Sequence, residues 1–441
     1  MSDRRHATHS TATRLPLVAS RRRPAFVVSA MMLVLASCSA DQVSVGSTAP
    51  STALLPTATA PLPSSTAPQP SSTSSTSSTS TSTGVVADES GGFPSELFAS
   101  LEDEPVTAQL TAELQAVLDE SADGFGYTAT VIAPAGTWSG ASGMANAERA
   151  MVPNDQMSIA SITKTLVAAL VMRLVEAGEL SLNDLAADLL PSDLDFDTND
   201  ARVIDLLSMR SGISEYFADD DELSEVLTND RLHIWTTAEK LATVAADRGP
   251  VGKHWEYIGT NYLLLGLIIE QVTGRSVAEE LRDGVLDGNG YDRLIYQPDE
   301  RPTEPMAMPL AASAATFGGG RGYLPSIANA TMFTAEGAMA SDSMTLARWF
   351  RALCAGEITS SASLDAMADF GERPGYGIGL LDRNRDYWPG SGAVGHPGQV
   401  REGYRSVALC FQDPASVVVV LANGDHDVDT VAGLLVQAAN N

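Results

Sequence analysis

Basic residues are scarce in this 441-residue chain, where 27 lysines and arginines stand against 55 aspartates and glutamates, a formal charge of −28. A surface that acidic repels phosphate backbones and anionic membrane, which excludes nucleic acid as a partner. Histidine is scarce too. His6, His9, His233, His254, His396 and His426 form no H-x-H or H-E-x-x-H spacing, so neither a metal nor a cofactor is expected. The chain also lacks a G-x-S-x-G elbow, which argues against an α/β-hydrolase nucleophile. Its only lysines are Lys164, Lys240 and Lys253, and its only cysteines Cys38, Cys354 and Cys410.

The N-terminal apolar run, Ala25 to Ala36, is too short to span a bilayer comfortably. It follows Arg4, Arg5, Arg14 and Arg21 to Arg23, and it ends in Leu35-Ala36-Ser37-Cys38, small residues before a cysteine. Residues 1–37 therefore read as a lipoprotein signal peptide, with lipidation of Cys38 and an extracytoplasmic product anchored to the membrane. An ordinary signal peptide with a coincidental cysteine is the alternative. Residues 38–102 are dominated by Ser, Thr, Ala and Pro and include an unbroken Ser/Thr run over 71–83. Such a stretch cannot bury enough apolar surface to order itself, and reads as a disordered stalk able to reach into a cell wall. What remains, 103–441, suffices for one large domain or two packed lobes. Cys354 and Cys410 form an even pair in an exported chain, for which a disulfide and two buried thiols both stay open.

Within that domain the periodicity predicts a helix over 107–123, a strand over 127–134 and its hairpin partner over 136–145. Helices are predicted over 180–190, 201–209, 237–246 and 262–272. Strands return over 376–381, 403–411 and 416–421, and a helix over 427–439 closes the chain. First and last segments then share one antiparallel sheet, with a helical insertion between them. The fold class is α/β (α+β), a flanked sheet plus a helical lobe, with the site expected in the cleft at their junction.

Chemistry enters at Ser161-Ile162-Thr163-Lys164, where positions i and i+3 share a helix face and place a hydroxyl beside an amine. Leu166 to Ala177 is apolar at helical spacing and ends at Gly178, a suitable C-cap. Ser161 is thus expected in the first turn of a buried helix, where free N–H groups favour a nascent oxyanion. With so few lysines, an accidental S-x-x-K arises in about one such chain in four, so the pair needs company downstream. Tyr257, in Tyr257-Ile258-Gly259-Thr260-Asn261-Tyr262, stands on a loop at a helix start. His396, in Gly395-His396-Pro397-Gly398, is flanked by glycines that permit close backbone or ligand approach.

Ser161-x-x-Lys164, Tyr257 in its Tyr-x-x-Thr-Asn-Tyr context, and His396-x-Gly398, in that order, resemble the penicillin-binding serine hydrolases. These are the class C β-lactamases, the D-alanyl-D-alanine carboxypeptidases and related esterases. The resemblance runs over about 107 to 441, and takes in Ile204-Asp205-Leu206-Leu207-Ser208-Met209-Arg210-Ser211-Gly212 and Gly375-Tyr376-Gly377-Ile378-Gly379-Leu380. It implies that Ser161 attacks a carbonyl while Tyr257, with Lys164 beside it, takes the hydroxyl proton. It further implies an oxyanion held by the N–H groups of Ser161 and Gln399, with His396 completing the electrostatics and Gly398 beside the substrate.

Two departures bear on substrate. Gly259 replaces the usual Asn of Tyr-x-Asn, for which Asn261 could substitute only if the loop is reshaped. Pro397 stands where a Thr or Ser hydroxyl is common. Both point away from efficient β-lactam or D-Ala-D-Ala turnover and leave Ser161, Lys164 and Tyr257 in place. Arg383, with Arg385, is a candidate carboxylate binder. The expected function is an exported serine hydrolase acting on a small-molecule or peptidoglycan-peptide carbonyl, carboxypeptidase-like or esterase-like. Its rival is a module that binds wall fragments without turning them over.

Overall fold

The first and last strands of the chain's main sheet are buried and rich in β-branched residues. In the computed structural model, which describes residues 92–441 except 123, 218–219, 289, 311–321, 372–374, 386 and 402, strands β1 (Tyr127–Ala133) and β2 (Gly136–Ser142) form a hairpin. The leader, Cys38 and most of the stalk lie outside the described residues. Two short strands, β3 (Met157–Ser158) and β4 (Ile295–Tyr296), flank β5 (Met339–Ser341) in a small separate sheet. The last four strands are β6 (Leu381–Asp382), β7 (Val394–Val400), β8 (Tyr404–Gln412) and β9 (Ala415–Ala422). The main sheet runs β2-β1-β9-β8-β7-β6, antiparallel throughout. First and last segments share it, as the periodicity predicted.

Alternation assigns the two faces. Val407, Leu409 and Phe411 of β8, with Val418 and Val420 of β9, pack on Leu114 and Leu118 of the Ala108–Ser121 helix and Leu435 of the Val428–Ala439 helix. Ala408, Cys410, Val417 and Val419 face the larger core, which holds the Ser343–Cys354 helix and the Thr163–Ala177 helix. Both faces are covered, which is why β9 reads as an unbroken apolar run.

Three expectations change. The order begins ahead of 103, because Phe98, on the Ser95–Ala99 helix, is wholly buried in the larger core. The insertion between the hairpin and the last strands is helical but more broken than predicted: Ala186–Leu189, Val203–Leu207 and Thr237–Leu241 are one-turn pieces, while Gly259–Thr273 is long. The predicted strand over 376–381 is a turn that meets β6 only at Tyr376 and Leu381. Gly379 there has φ +68, and a Cβ would lie 2.5 Å from Ala168 and 2.9 Å from the Lys164 carbonyl. The segment is shaped by its approach to the Ser161 helix.

Candidate active site

Ser161 lies in a 3-10 turn, Ala160–Ile162, immediately before the Thr163–Ala177 helix. Ala160 carries a positive φ of 47, a conformation a non-glycine residue adopts only when its surroundings hold it there. Lys164, one turn on, is 2 % exposed, and its Nζ donates to Ser161 Oγ at 3.2 Å and to the Glu336 carbonyl at 2.7 Å. The same ammonium stands 5.0 Å from the centre of the Tyr257 ring and 5.8 Å from that of Tyr262. The long-range architecture thus brings the first two motifs together around one amine.

β7 delivers the third. A Cβ on Gly398 would come 2.2 Å from the Ile159 carbonyl oxygen and 2.3 Å from Ser406 Oγ, so only glycine lets this strand lie against the nucleophile's turn. β6 pairs only with Val394 and Gly395, leaving the β7 edge beyond His396 open toward the cleft. Pro397 sits on that open stretch, the kind of place where a strand tolerates a missing N–H. His396 is 1 % exposed, and its ring centre is 6.0 Å from that of Tyr257 and 6.0 Å from that of Tyr376. Its Nδ1 meets the Pro397 carbonyl oxygen at 2.6 Å, a contact that requires a proton on Nδ1, while Nε2 is buried with no partner among the described residues. Burial first, then the positive charges of Lys164 and Arg383, push its pKa down to about 3, outweighing the bond to Pro397. The imidazole is therefore neutral. The electrostatics it completes are those of an uncharged ring.

The cleft has two lobes that meet at Ser161, Tyr257 and Gln399. The smaller, of about 150 Å³, is lined by Lys164, Glu215, Tyr216, Phe217, Leu223, Phe333 and Glu336. The larger, of about 610 Å³, is lined by Arg383, His396, Pro397, Gly398, Arg405, His426 and the aspartates 425, 427 and 429. Sequence reasoning missed both glutamates. Glu215 accepts hydrogen bonds from the Gly259 N–H, the Thr260 N–H at 3.2 Å and the Thr260 hydroxyl at 3.1 Å, at the start of the Gly259–Thr273 helix. Burial raises its pKa against the opposing pull of those bonds and of Lys164, and neighbouring Glu336 raises it further. Glu336 accepts from the Tyr216 hydroxyl at 2.5 Å and the Thr334 hydroxyl at 3.2 Å, and is 2 % exposed.

Gly259 now has a physical reason. A Cβ there would lie 3.2 Å from both Glu215 carboxylate oxygens. The space that an asparagine side chain would need is taken by a carboxylate from another loop. The one sequence signal for Glu215 was its place three residues after Ser211-Gly212; Glu336 had none.

Asn261 does not line the cleft. Two positions along a helix turn a side chain about 200° away, and Asn261 is fully buried, accepting from Ser211 Oγ at 2.6 Å. It fastens the Ser211 loop to the helix, which corrects its expected role as a substrate ligand. Arg383 borders the larger lobe, but its guanidinium is paired with Asp429 at 2.6 Å and stacked 3.7 Å from the Tyr387 ring centre. Arg385 pairs with Asp382 at the surface. Cys354 and Cys410 are joined by a disulfide. Among the described residues no cluster of three or more His, Cys, Asp or Glu side chains is placed to hold a metal, and no helix is long and apolar enough to cross a membrane.

Residues 114–440 match the Beta-lactamase family model. Penicillin-binding protein 4 of Amycolatopsis lactamdurans is 33 % identical over 146 residues, 32 % of this chain and 36 % of that protein. Protein flp of Staphylococcus aureus is 29 % identical over 136 residues, 30 % of this chain and 26 % of that protein. The matched segments thus span about a third or less of these relatives. Among solved structures, a D-stereospecific amidohydrolase from Streptomyces sp. superposes with a TM-score of 0.62 at 25 % identity, covering 75 % of this chain and 98 % of that one. A D-amino acid amidase from Ochrobactrum anthropi gives 0.62 at 24 % identity, with the same coverage.

Proposed function

Since the chain belongs to the beta-lactamase family, we propose that it is a serine amidohydrolase that forms an acyl-enzyme at Ser161 with aminoacyl groups of D configuration. The observation that carries this reading is the contact of Lys164 Nζ with Ser161 Oγ beneath the Tyr257 ring. Ser161 Oγ bonds to the carbonyl carbon as its proton passes to Tyr257, which reacts as the phenolate paired with the Lys164 ammonium. The tetrahedral oxyanion is met by the N–H groups of Ser161 and Gln399. On collapse the C–N bond breaks, the leaving nitrogen takes that proton, and water then hydrolyses the ester by the reverse route.

The acyl part occupies the smaller lobe. There two carboxylates, Glu215 and Glu336, face one ammonium, Lys164, so a substrate carboxylate would meet net repulsion and a substrate α-ammonium net attraction. The D preference follows the Streptomyces and Ochrobactrum neighbours, a D-stereospecific amidohydrolase and a D-amino acid amidase. A carboxypeptidase would need a cation for the leaving carboxylate, and Arg383 already serves Asp429. Amide or ester leaving groups suit the larger lobe better.

Intact mass after incubation with D-alaninamide, D-phenylalanine p-nitroanilide, a p-nitrophenyl ester and penicillin tests the proposal. Turnover of the aminoacyl substrates is expected, and Ser161→Ala should lower it by at least about three orders of magnitude. Glu215→Gln should raise KM for the aminoacyl amides far more than for the uncharged ester. Wild-type KM for the amides should fall as pH rises through the elevated Glu215 titration, because the ionised form binds the cation. A stable Ser161 adduct without turnover would instead identify a binding module.

We place the enzyme outside the cytoplasm, lipid-anchored at Cys38 and carried on the Ser/Thr-rich stretch that follows it toward D-amino-acid-containing wall peptides. Metabolic lipid labelling of wild type but not of Cys38→Ser is expected; an unlabelled wild type sinks the anchor.

A further inference from the structure

The chain's second lysine is buried and takes no part in the chemistry above. Lys240, on the one-turn helix Thr237–Leu241, is 1 % exposed. Its Nζ donates to the Thr331 carbonyl at 3.1 Å, the Met332 carbonyl at 3.2 Å and Thr334 Oγ1 at 3.4 Å. Three N–H donors thus meet three acceptors, all on the segment that leads into Glu336. Taking an ammonium out of water is unfavourable unless such bonds and a nearby negative charge offset it. Glu336 and Glu270 are the charges that do so.

We infer that Lys240 is a positioning residue that orders a hydrogen-bond chain running through Thr334 and Glu336 to Lys164. The polarity of the chain follows from donor chemistry. An ammonium can only donate, so the Thr334 hydroxyl accepts from Lys240 and must turn its single proton outward. That proton goes to Glu336 Oε2 at 3.2 Å, and the Tyr216 hydroxyl donates to Glu336 Oε1. With its carboxylate tied at both oxygens, Glu336 presents its backbone carbonyl to Lys164 Nζ at 2.7 Å, and Lys164 reaches Ser161 Oγ. Lys240 touches no reacting atom. Its effect is on where Lys164 stands, and a displacement of about 1 Å at such a centre can cost a hundredfold in rate.

The inference rests on Ser161 being the nucleophile, and its test has one arm that needs no reaction at Ser161. Thr334→Val keeps the side chain's shape and removes the relay hydroxyl, whereas Thr334→Ser keeps the hydroxyl. Labelling of Ser161 by a fluorophosphonate should slow about tenfold in Thr334→Val and stay within about twofold of wild type in Thr334→Ser. In turnover the loss should fall on kcat, with KM unchanged. Lys240→Met should slow labelling at least as much, and the double variant no further than Lys240→Met alone, since both cut one chain. Crystal structures should show the Lys164 to Glu336 carbonyl contact lengthened in Thr334→Val and kept in Thr334→Ser. Wild-type labelling by Thr334→Val, equal slowing in both threonine variants, or additive effects in the double variant would overturn the inference. If Lys240→Met fails to fold, the threonine pair still decides. If wild type is not labelled at Ser161, the proposed function falls, and the crystal-structure arm alone judges the chain.

Discussion

A buried imidazole with one nitrogen bonded and the other empty pulls down the stability of a fold in acid. In His396 the Nδ1 proton goes to the Pro397 carbonyl and Nε2 has no partner among the described residues, so a second proton would be a charge without solvent or counterion. The folded pKa of about 3 lies below the ordinary histidine value near 6.5. Between those values the unfolded chain holds a proton that the folded chain lacks. The stability His396 contributes is thus present above about pH 6.5 and is lost as pH falls toward 3, with a slope near 1.4 kcal/mol per pH unit. Denaturant titrations of wild type and His396→Asn should show that one-proton difference in slope across this window. Parallel profiles would mean that the ring titrates normally.

At the level of elements, glycine decides how close β7 comes to the nucleophile. Gly398→Ala would force 2.2 Å against the Ile159 carbonyl oxygen, a backbone atom that cannot swing away. Either β7 or the Ala160–Ile162 turn must move, so turnover should fall by about a hundredfold or more with the fold retained. Near-wild-type kcat/KM in that variant would show that the strand does not set the geometry. This close packing also explains what was legible. Motifs whose meaning lies in local order, Ser161-x-x-Lys164, the long helix after Gly259 and the β-branched and aromatic residues of β8 and β9, were readable because periodicity and spacing encode them. The Tyr376 to Leu381 turn was not, because aromatic and β-branched residues signal strand while the approach to the Ser161 helix bends the backbone. One-turn helices such as Val203–Leu207 were overextended for a related reason: tertiary contacts end them before their apolar pattern does.

Across the whole molecule, the site is made by distant stretches, and what was invisible in the sequence is what arrives from elsewhere in the chain. Glu215 and Glu336 reach the same lobe from loops 121 residues apart, and no spacing rule connects them. The distances between such stretches are set by how the layers are held. One covalent device does this: the Cys354–Cys410 bond joins the end of the Ser343–Cys354 helix to the last part of β8, and the loop it closes contains β6 and β7 with His396 and Gln399. With the cysteines 56 positions apart in sequence, closing that loop in the unfolded chain is worth roughly 4 kcal/mol by chain entropy. Both sulfurs are fully buried, so the bond acts on stability rather than on the cleft. The Cys354→Ala/Cys410→Ala variant should therefore melt roughly 5 to 10 °C below wild type while keeping its kcat/KM at 25 °C. Thiol titration of denatured wild type should find no free thiol from this pair until a reductant is added. An unchanged melting temperature, or two free thiols before reduction, would leave the sheet and helix held by packing alone.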